Sequence, residues 1–223
     1  MALPPSGMAG TLRSDTDKGS SVKLYYLTGA CSLASDIALR EAGLSFELVK
    51  VDRRTKRTAD GLDFNEVNPK GYVPALRLDD GAVLTENVAV LQYIADRNPA
   101  AKLAPPAGTM ERYRLMEWLS FINSEVHKQF TPLFRQEAPE ETKEYSRKNL
   151  AVRLGYLQRT MGSRTFLMGE QYTVADSYLY TVLGWGAHVK VDLGQWPELK
   201  RYVERIGQRP HVLEARRAEG LAG

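Results

Sequence analysis

Apolar and polar positions change their rhythm near residue 100 of this 223-residue chain. Before it, short apolar runs at strand and helix spacing take turns; after it, the apolar positions repeat at helical spacing. Lys23-Leu24-Tyr25-Tyr26-Leu27 reads as a strand and Thr28-Gly29-Ala30 as a break. Residues 32–42 predict a helix with Leu33, Ile37 and Leu39 as apolar positions and Gly43 as its stop. Residues 46–51 predict a second strand, and 75–78 and 83–85 flank the hairpin signal Asp79-Asp80-Gly81. Residues 87–97 form a helix with Val90, Leu91 and Ile94 inward, closed by Asn98-Pro99. The order β-α-β-loop-β-β-α predicts one mixed sheet, a parallel pair beside an antiparallel hairpin.

Residues 100–109 (AAKLAPPAGT) are a Pro/Gly/Ala linker. Beyond it, Leu115, Leu119, Ile122 and Val126 recur at i, i+4, i+7 and i+11, the stripe of one long helix. Residues 139–161 form a more polar helix, and Thr173 with Asp176 has capping-box spacing ahead of the apolar segment 178–185. Residues 197–206 and 210–217 each begin with Pro at a first helical position. The chain therefore divides into residues 1–22, a Gly/Ser/Pro/Asp-rich disordered leader or tag; 23–100, an α/β domain; 101–109, the linker; and 110–223, an all-helical domain.

Composition narrows the function classes. Hydrophobic residues make up 43% and charged residues 26%, the balance of a globular chain. Thirty basic and 27 acidic residues leave a net charge of only +3, so no nucleic-acid partner is expected. No apolar run approaches the roughly 18 residues that a membrane span needs. A single cysteine excludes an internal disulfide and fits a reducing, cytoplasmic setting. His127, His188 and His211 lie far apart, none with a second ligand at metal spacing, so no metal is expected.

Cys31 stands between a strand end and a helix start, followed by Ser32. First-turn N–H groups and the helix dipole favour an anion there, either the thiolate of Cys31 or that of a ligand, and Ser32 adds a hydroxyl. A lone cysteine is equally familiar as a small buried hydrophobe. Val73-Pro74 precedes a strand; a cis bond would turn the main chain of Val73 toward an extended peptide, while an ordinary trans edge proline fits the pattern too. Glu86 and Asn87 open the helix after the hairpin, where a ligand carboxylate suits the N-terminus and Glu86 attracts an ammonium; Glu86 also simply complements the dipole. Ser120, Asn123, Ser124 and His127 share a second stripe of the long helix, either plain solvent face or one wall of a cleft toward the first domain. Residues 53–57 are a basic run, either a merely solvated loop or the source of one Lys that neutralises a carboxylate at the rim.

These segments together resemble the beta class of bacterial glutathione S-transferases from residue 23 to about 221. The match is carried by Lys23-Leu24-Tyr25-Tyr26, Ala30-Cys31-Ser32-Leu33, Arg54-Thr55-Lys56, Asn68-Pro69-Lys70-Gly71 with Val73-Pro74, Leu84-Thr85-Glu86, Ser124-Glu125-Val126-His127-Lys128 and Tyr172-Thr173-Val174-Ala175-Asp176. The resemblance implies a thioredoxin-like first domain, an all-α second domain forming a hydrophobic substrate pocket, and a homodimer. It implies glutathione as co-substrate, held by a cis Val73–Pro74 turn, by Glu86 and Asn87 at the γ-glutamyl end, and by Lys56 and His127 near the tripeptide and its thiol. Cys31 matches a position that forms a mixed disulfide with glutathione. Ser120 departs from the family's usual Asn, a position that contacts glutathione of the other subunit, and Asn123 is the candidate to replace it. Asn87 stands where a small residue often follows the Glu.

The expected activity is transfer of the glutathione thiol to a hydrophobic electrophile, with Cys31, Ser32 and His127 around the thiolate and Phe130, Phe134 and Trp185 giving an apolar pocket. Two alternatives share the fold: a monothiol redox enzyme working through a Cys31 mixed disulfide, with Ala34 where a resolving cysteine would sit, and a non-catalytic binding protein.

Overall fold

The structure, a computed structural model, describes residues 22–221. The leader expected over residues 1–22 lies outside the described residues except for Val22. Strand β1 (Lys23–Tyr26) is central to a four-stranded sheet ordered β2-β1-β3-β4. It pairs in parallel with β2 (Glu47–Lys50), Leu24 opposite Leu48, after the crossover helix α1 (Ser32–Glu41) that a parallel pair requires. On its other side it pairs antiparallel with β3 (Ala75–Arg77), which turns through Gly81 (φ 85°) into β4 (Val83–Thr85). The connection expected as plain loop contains the short helix α2 (Phe64–Val67): the Asp63 carboxylate caps the Asn65 N–H, and Phe64 is fully buried against Tyr25, with ring centroids 5.6 Å apart. Helix α3 (Asn87–Arg97) completes the thioredoxin-like half.

The helical half contains α4 (Met110–Phe121), α5 (Lys128–Phe134), α6 (Glu140–Met161), α7 (Val174–Gly184), α8 (Pro197–Gly207) and α9 (Pro210–Ala218). The long helix expected across residues 115–126 is interrupted by a π-type turn, Ile122–His127, between α4 and α5. Its apolar stripe survives the interruption, since Leu115, Leu119, Ile122 and Val126 are all fully buried. The capping box at the start of α7 is formed: Asp176 Oδ2 accepts from Thr173 N at 2.8 Å, and its Oδ1 accepts from Leu167 N at 2.8 Å and from the Tyr202 hydroxyl at 2.9 Å.

One core joins the halves. Leu24, Ile37, Leu76 and Leu91 from the sheet side are continuous with Leu119, Leu154, Leu179 and Leu183 from the helices. Ion pairs fasten α1 to the chain around α9: Arg40 bonds Asp36 of its own helix and Glu214 of α9, and Arg209 holds Glu41 by two hydrogen bonds of 2.7 and 2.8 Å. The seam between sheet half and helical half is therefore tied by core packing and ion pairs, and a cleft opens along it.

Candidate active site

The turn from β1 into α1 is built around Gly29, whose φ of 68° suits glycine. Its N–H donates to Glu219 Oε2 at 2.8 Å, and its carbonyl accepts from the Trp185 indole at 2.8 Å. Side chains of the helical half thus grip the main chain two residues before Cys31. Cys31 occupies the N-cap of α1, and its thiol donates to the Val73 carbonyl at 3.3 Å. The N–H groups of Cys31 and Ser32 favour a negative sulfur, but burial outweighs them and pushes the thiol up to about 12. Burial thus works against the thiolate that the helix start favours.

The Val73–Pro74 peptide is cis. The turn leading to it is held by Asn68, whose amide donates to Tyr72 O at 2.6 Å, and by Lys56, whose ammonium donates to Gly71 O at 3.0 Å. Glu86 caps α3 with φ 69°, a left-handed backbone for a residue with a side chain; such conformations cost on the order of 1–3 kcal/mol and persist where surrounding structure imposes them. Its carboxylate is exposed and pairs with Lys70. Asn87 is buried: its amide donates to Cys31 O at 3.2 Å and its oxygen accepts from Ser35 at 2.8 Å. That side chain is committed to α1, which leaves the first-turn N–H groups of α3 as the donors available to a ligand there.

The opposite wall comes from the π turn and α7. The Tyr178 hydroxyl donates to Asn123 Oδ1 at 3.0 Å and lies 2.7 Å from His127 Nδ1. The His127 ring packs edge-on against Trp185 with centroids 4.8 Å apart. Burial lowers the His127 pKa to about 4, so the imidazole is neutral at physiological pH. Burial likewise raises the Tyr178 phenol above its ordinary range.

A cleft of about 280 Å³ runs between these walls. It brings together Cys31, Val73, Pro74, Glu86, Asn87, Asn123 and His127. It leaves out four others. The Ser32 hydroxyl is buried and turned back on Leu27, accepting from its N–H at 3.3 Å and donating to its carbonyl at 3.4 Å. Lys56 reaches Gly71 behind the Val73–Pro74 turn. Ser120 is exposed on α4, and the Ser124 hydroxyl donates to the Ser120 carbonyl at 2.9 Å. The π turn thus splits the stripe expected from residue 120 to 127, sending Asn123 and His127 to the cleft and Ser124 to solvent.

Sequence reasoning missed Tyr178, Asn68 and Lys70, which also line the cleft. Tyr178 is hidden inside an apolar helix, and only a polar tip on an otherwise buried aromatic signals it. Of the apolar residues expected around the pocket, Phe130 and Trp185 are buried against each other at 5.6 Å and Phe134 is exposed with its ring 5.7 Å from Trp185, while Lys128 and Thr131 of α5 and Arg135 just after it line this cleft. Among the described residues no group of His, Cys, Asp and Glu could hold a metal ion, and no helix is long and apolar enough to cross a membrane.

Comparison with known proteins agrees with this arrangement. Residues 29–97 match the family described as Glutathione S-transferase, N-terminal domain, and residues 121–210 match Glutathione S-transferase, C-terminal domain. The chain is 47% identical over 200 residues to glutathione S-transferase GstA of Escherichia coli O157:H7, covering 90% of this chain and all of that one. It also superposes on a sphingomonad glutathione S-transferase complexed with glutathione, at TM-score 0.87 and 50% identity over 90% of this chain and 100% of the other. The bacterial beta class enzyme of Sphingomonas chungbukensis gives the same TM-score, identity and coverage. With both domains matched and relatives this similar along their whole length, the chain belongs to the glutathione S-transferase family.

Proposed function

We propose that the cleft binds glutathione as an extended tripeptide and transfers its thiol to an electrophile. The observation that carries this reading is the convergence of three unlike groups on one cleft: the main chain of Val73, the α3 N-terminus with Glu86, and the His127 imidazole. The main chain of Val73 offers strand-like pairing to the cysteinyl unit. The N–H groups of α3 take the γ-glutamyl carboxylate, and Glu86 takes the ammonium on the same carbon. Lys56 shapes the turn beside the tripeptide, and Ser32 shapes the turn before Cys31. The sulfur then lies between the start of α1 and His127.

A free thiol has a pKa of about 8.5, and lowering it by about two units corresponds to about 2.7 kcal/mol. A helix terminus supplies at most about 2 kcal/mol, so hydrogen bonding must add the remainder. The electrophile is a hydrophobic molecule with polar, electron-withdrawing substituents, in keeping with Lys128, Thr131 and Arg135 on the α5 wall. A cytoplasmic homodimer fits the exposed apolar surface of the helical half. Tyr113 and Met110 are exposed on α4, and Trp118, Phe121 and Tyr156 line a groove of about 1030 Å³ between α4 and α6, with Phe121 edge-on to the other two rings. In such a dimer the exposed Ser120 and Ser124 are available to the partner's cleft.

The thiol of Cys31, hydrogen-bonded and with burial opposing its thiolate, favours conjugation over a mixed-disulfide cycle, because the thiolate is the species that attacks a disulfide. The test is the pH–rate profile for conjugation of glutathione to an activated aryl chloride. Saturable turnover with an apparent pKa well below that of free glutathione is expected. A pKa equal to that of the free thiol would sink the mechanism, and absence of glutathione binding would sink the reading.

A further inference from the structure

The Tyr178 hydroxyl joins two elements. It is carried by α7 and, on the π turn, donates to Asn123 and meets His127. A phenol has one proton. That proton goes to Asn123 Oδ1 at 3.0 Å, and a carbonyl oxygen can only accept. With the Asn123 amide oxygen turned to the phenol, as in this structure, the phenol oxygen is left to act as acceptor toward His127, at 2.7 Å, and Nδ1 carries the hydrogen.

Resting on the glutathione reading above, we propose that Tyr178 and Asn123 are positioning residues that hold the neutral His127 imidazole as its Nδ1–H tautomer and present Nε2 as the acceptor for the thiol proton. The buried environment of His127 keeps the ring neutral, so one nitrogen has a free lone pair. The Trp185 ring against the imidazole resists rotation. In the step so arranged, the S–H bond of glutathione breaks, sulfur keeps the electron pair, and the proton forms a new bond to Nε2. The Nδ1–H bond to Tyr178 persists throughout, and the imidazolium returns its extra proton to water. The opposite tautomer would meet the sulfur with a donor and could not take its proton. The charged and titratable groups around this network are Cys31 and Glu86 facing Tyr178 and Lys128 beside His127.

Nitrogen-15 spectra of histidine-labelled protein test this without any turnover. Only three histidines are present, and His127→Gln assigns the signal. The expected wild-type pattern is a protonated Nδ1 and an unprotonated Nε2, which Tyr178→Phe converts to a mixture or to the other tautomer. In the conjugation assay, Tyr178→Phe is expected to lower kcat at least tenfold, with KM for glutathione changed less than threefold. Asn123→Asp, which keeps the acceptor, should retain the wild-type tautomer, and Asn123→Leu should lose it. Asn123→Leu provides the same comparison if Tyr178→Phe does not fold. An Nε2–H tautomer in the wild type overturns the proposal, and so does Tyr178→Phe with wild-type kcat. A wild type that neither binds nor conjugates glutathione defeats the glutathione reading instead, while the tautomer is still decided by its own spectrum.

Discussion

The two walls of the cleft are made of different material. The α/β wall presents main chain: the start of α1, the carbonyl of Val73 and the first turn of α3, held in place by Asn68, Lys56 and Asn87 from behind. The helical wall presents side chains, His127, Asn123 and Tyr178, whose geometry depends on one another. Main-chain groups placed by secondary structure tolerate many substitutions nearby. A side-chain network fails when one member is removed. The difference predicts that recognition of the tripeptide belongs to the first wall and chemistry to the second.

His127→Ala is the largest expected effect. A positioned proton acceptor contributes about 100-fold or more, so kcat/KM for an aryl chloride should fall about 100-fold while KM for glutathione changes less than threefold. Because burial holds the imidazole down to about 4, the wild-type rate should show no imidazole titration between pH 6 and 8. A loss below threefold, measured under saturating glutathione, would reduce the second wall to a packing surface.

A smaller effect tests how the second half grips the first. Glu219 holds Gly29 N–H from α9, with Asp36, Arg40 and Lys50 as its charged neighbours, and burial raises its carboxyl to about 8. Its other oxygen is buried without a partner among the described residues. Between the ordinary carboxylate value and about 8 the unfolded chain has released this proton and the folded one has not, so stability falls as pH rises through that window. Glu219→Gln keeps a carbonyl acceptor for Gly29 and cannot ionise. Thermal or urea unfolding should find it equal to wild type near pH 4.5 and increasingly more stable as the pH rises to 8. Parallel pH curves for the two proteins would show that the carboxyl is not the group responsible.

The same contrast explains what was readable beforehand. The first wall is marked by residues whose backbone meaning is local: Gly29 at a left-handed turn, Val73-Pro74 before a strand, Glu86 and Asn87 at a helix start. The stripe Leu115-Leu119-Ile122-Val126 and the Thr173–Asp176 cap were equally local and lie as their spacing predicts. The second wall is not local. Nothing within residues 122–127 marks a π turn, and the nearest helix-disrupting residue is Pro132, inside α5. Tyr178 reads as core because its ring is core, and only the meeting of α7 with the π turn makes its hydroxyl a hub. The bond from the Trp185 indole to the Gly29 carbonyl is likewise a meeting of distant segments. Four-residue α2 escaped notice because its one apolar anchor, Phe64, has no repeat to reveal it.

The smallest expected effect concerns the residue that looks most reactive. Cys31 has a thiol donating to Val73 O, with the N–H groups of Cys31 and Ser32 around its own sulfur. If the first wall works through main chain, Cys31→Ala removes a neighbour of the glutathione sulfur but no helix N-terminus and no proton acceptor. The same N–H groups then become free for the ligand's thiolate, which offsets the lost contact. Conjugation should therefore change by no more than about threefold, equivalent to about 0.7 kcal/mol in the barrier. Any slow exchange of the wild type with a disulfide of glutathione should disappear entirely, since no second cysteine is present. A loss of conjugation approaching that of His127→Ala would mean that the first wall carries chemistry through a side chain, and the division of labour between the walls would fall.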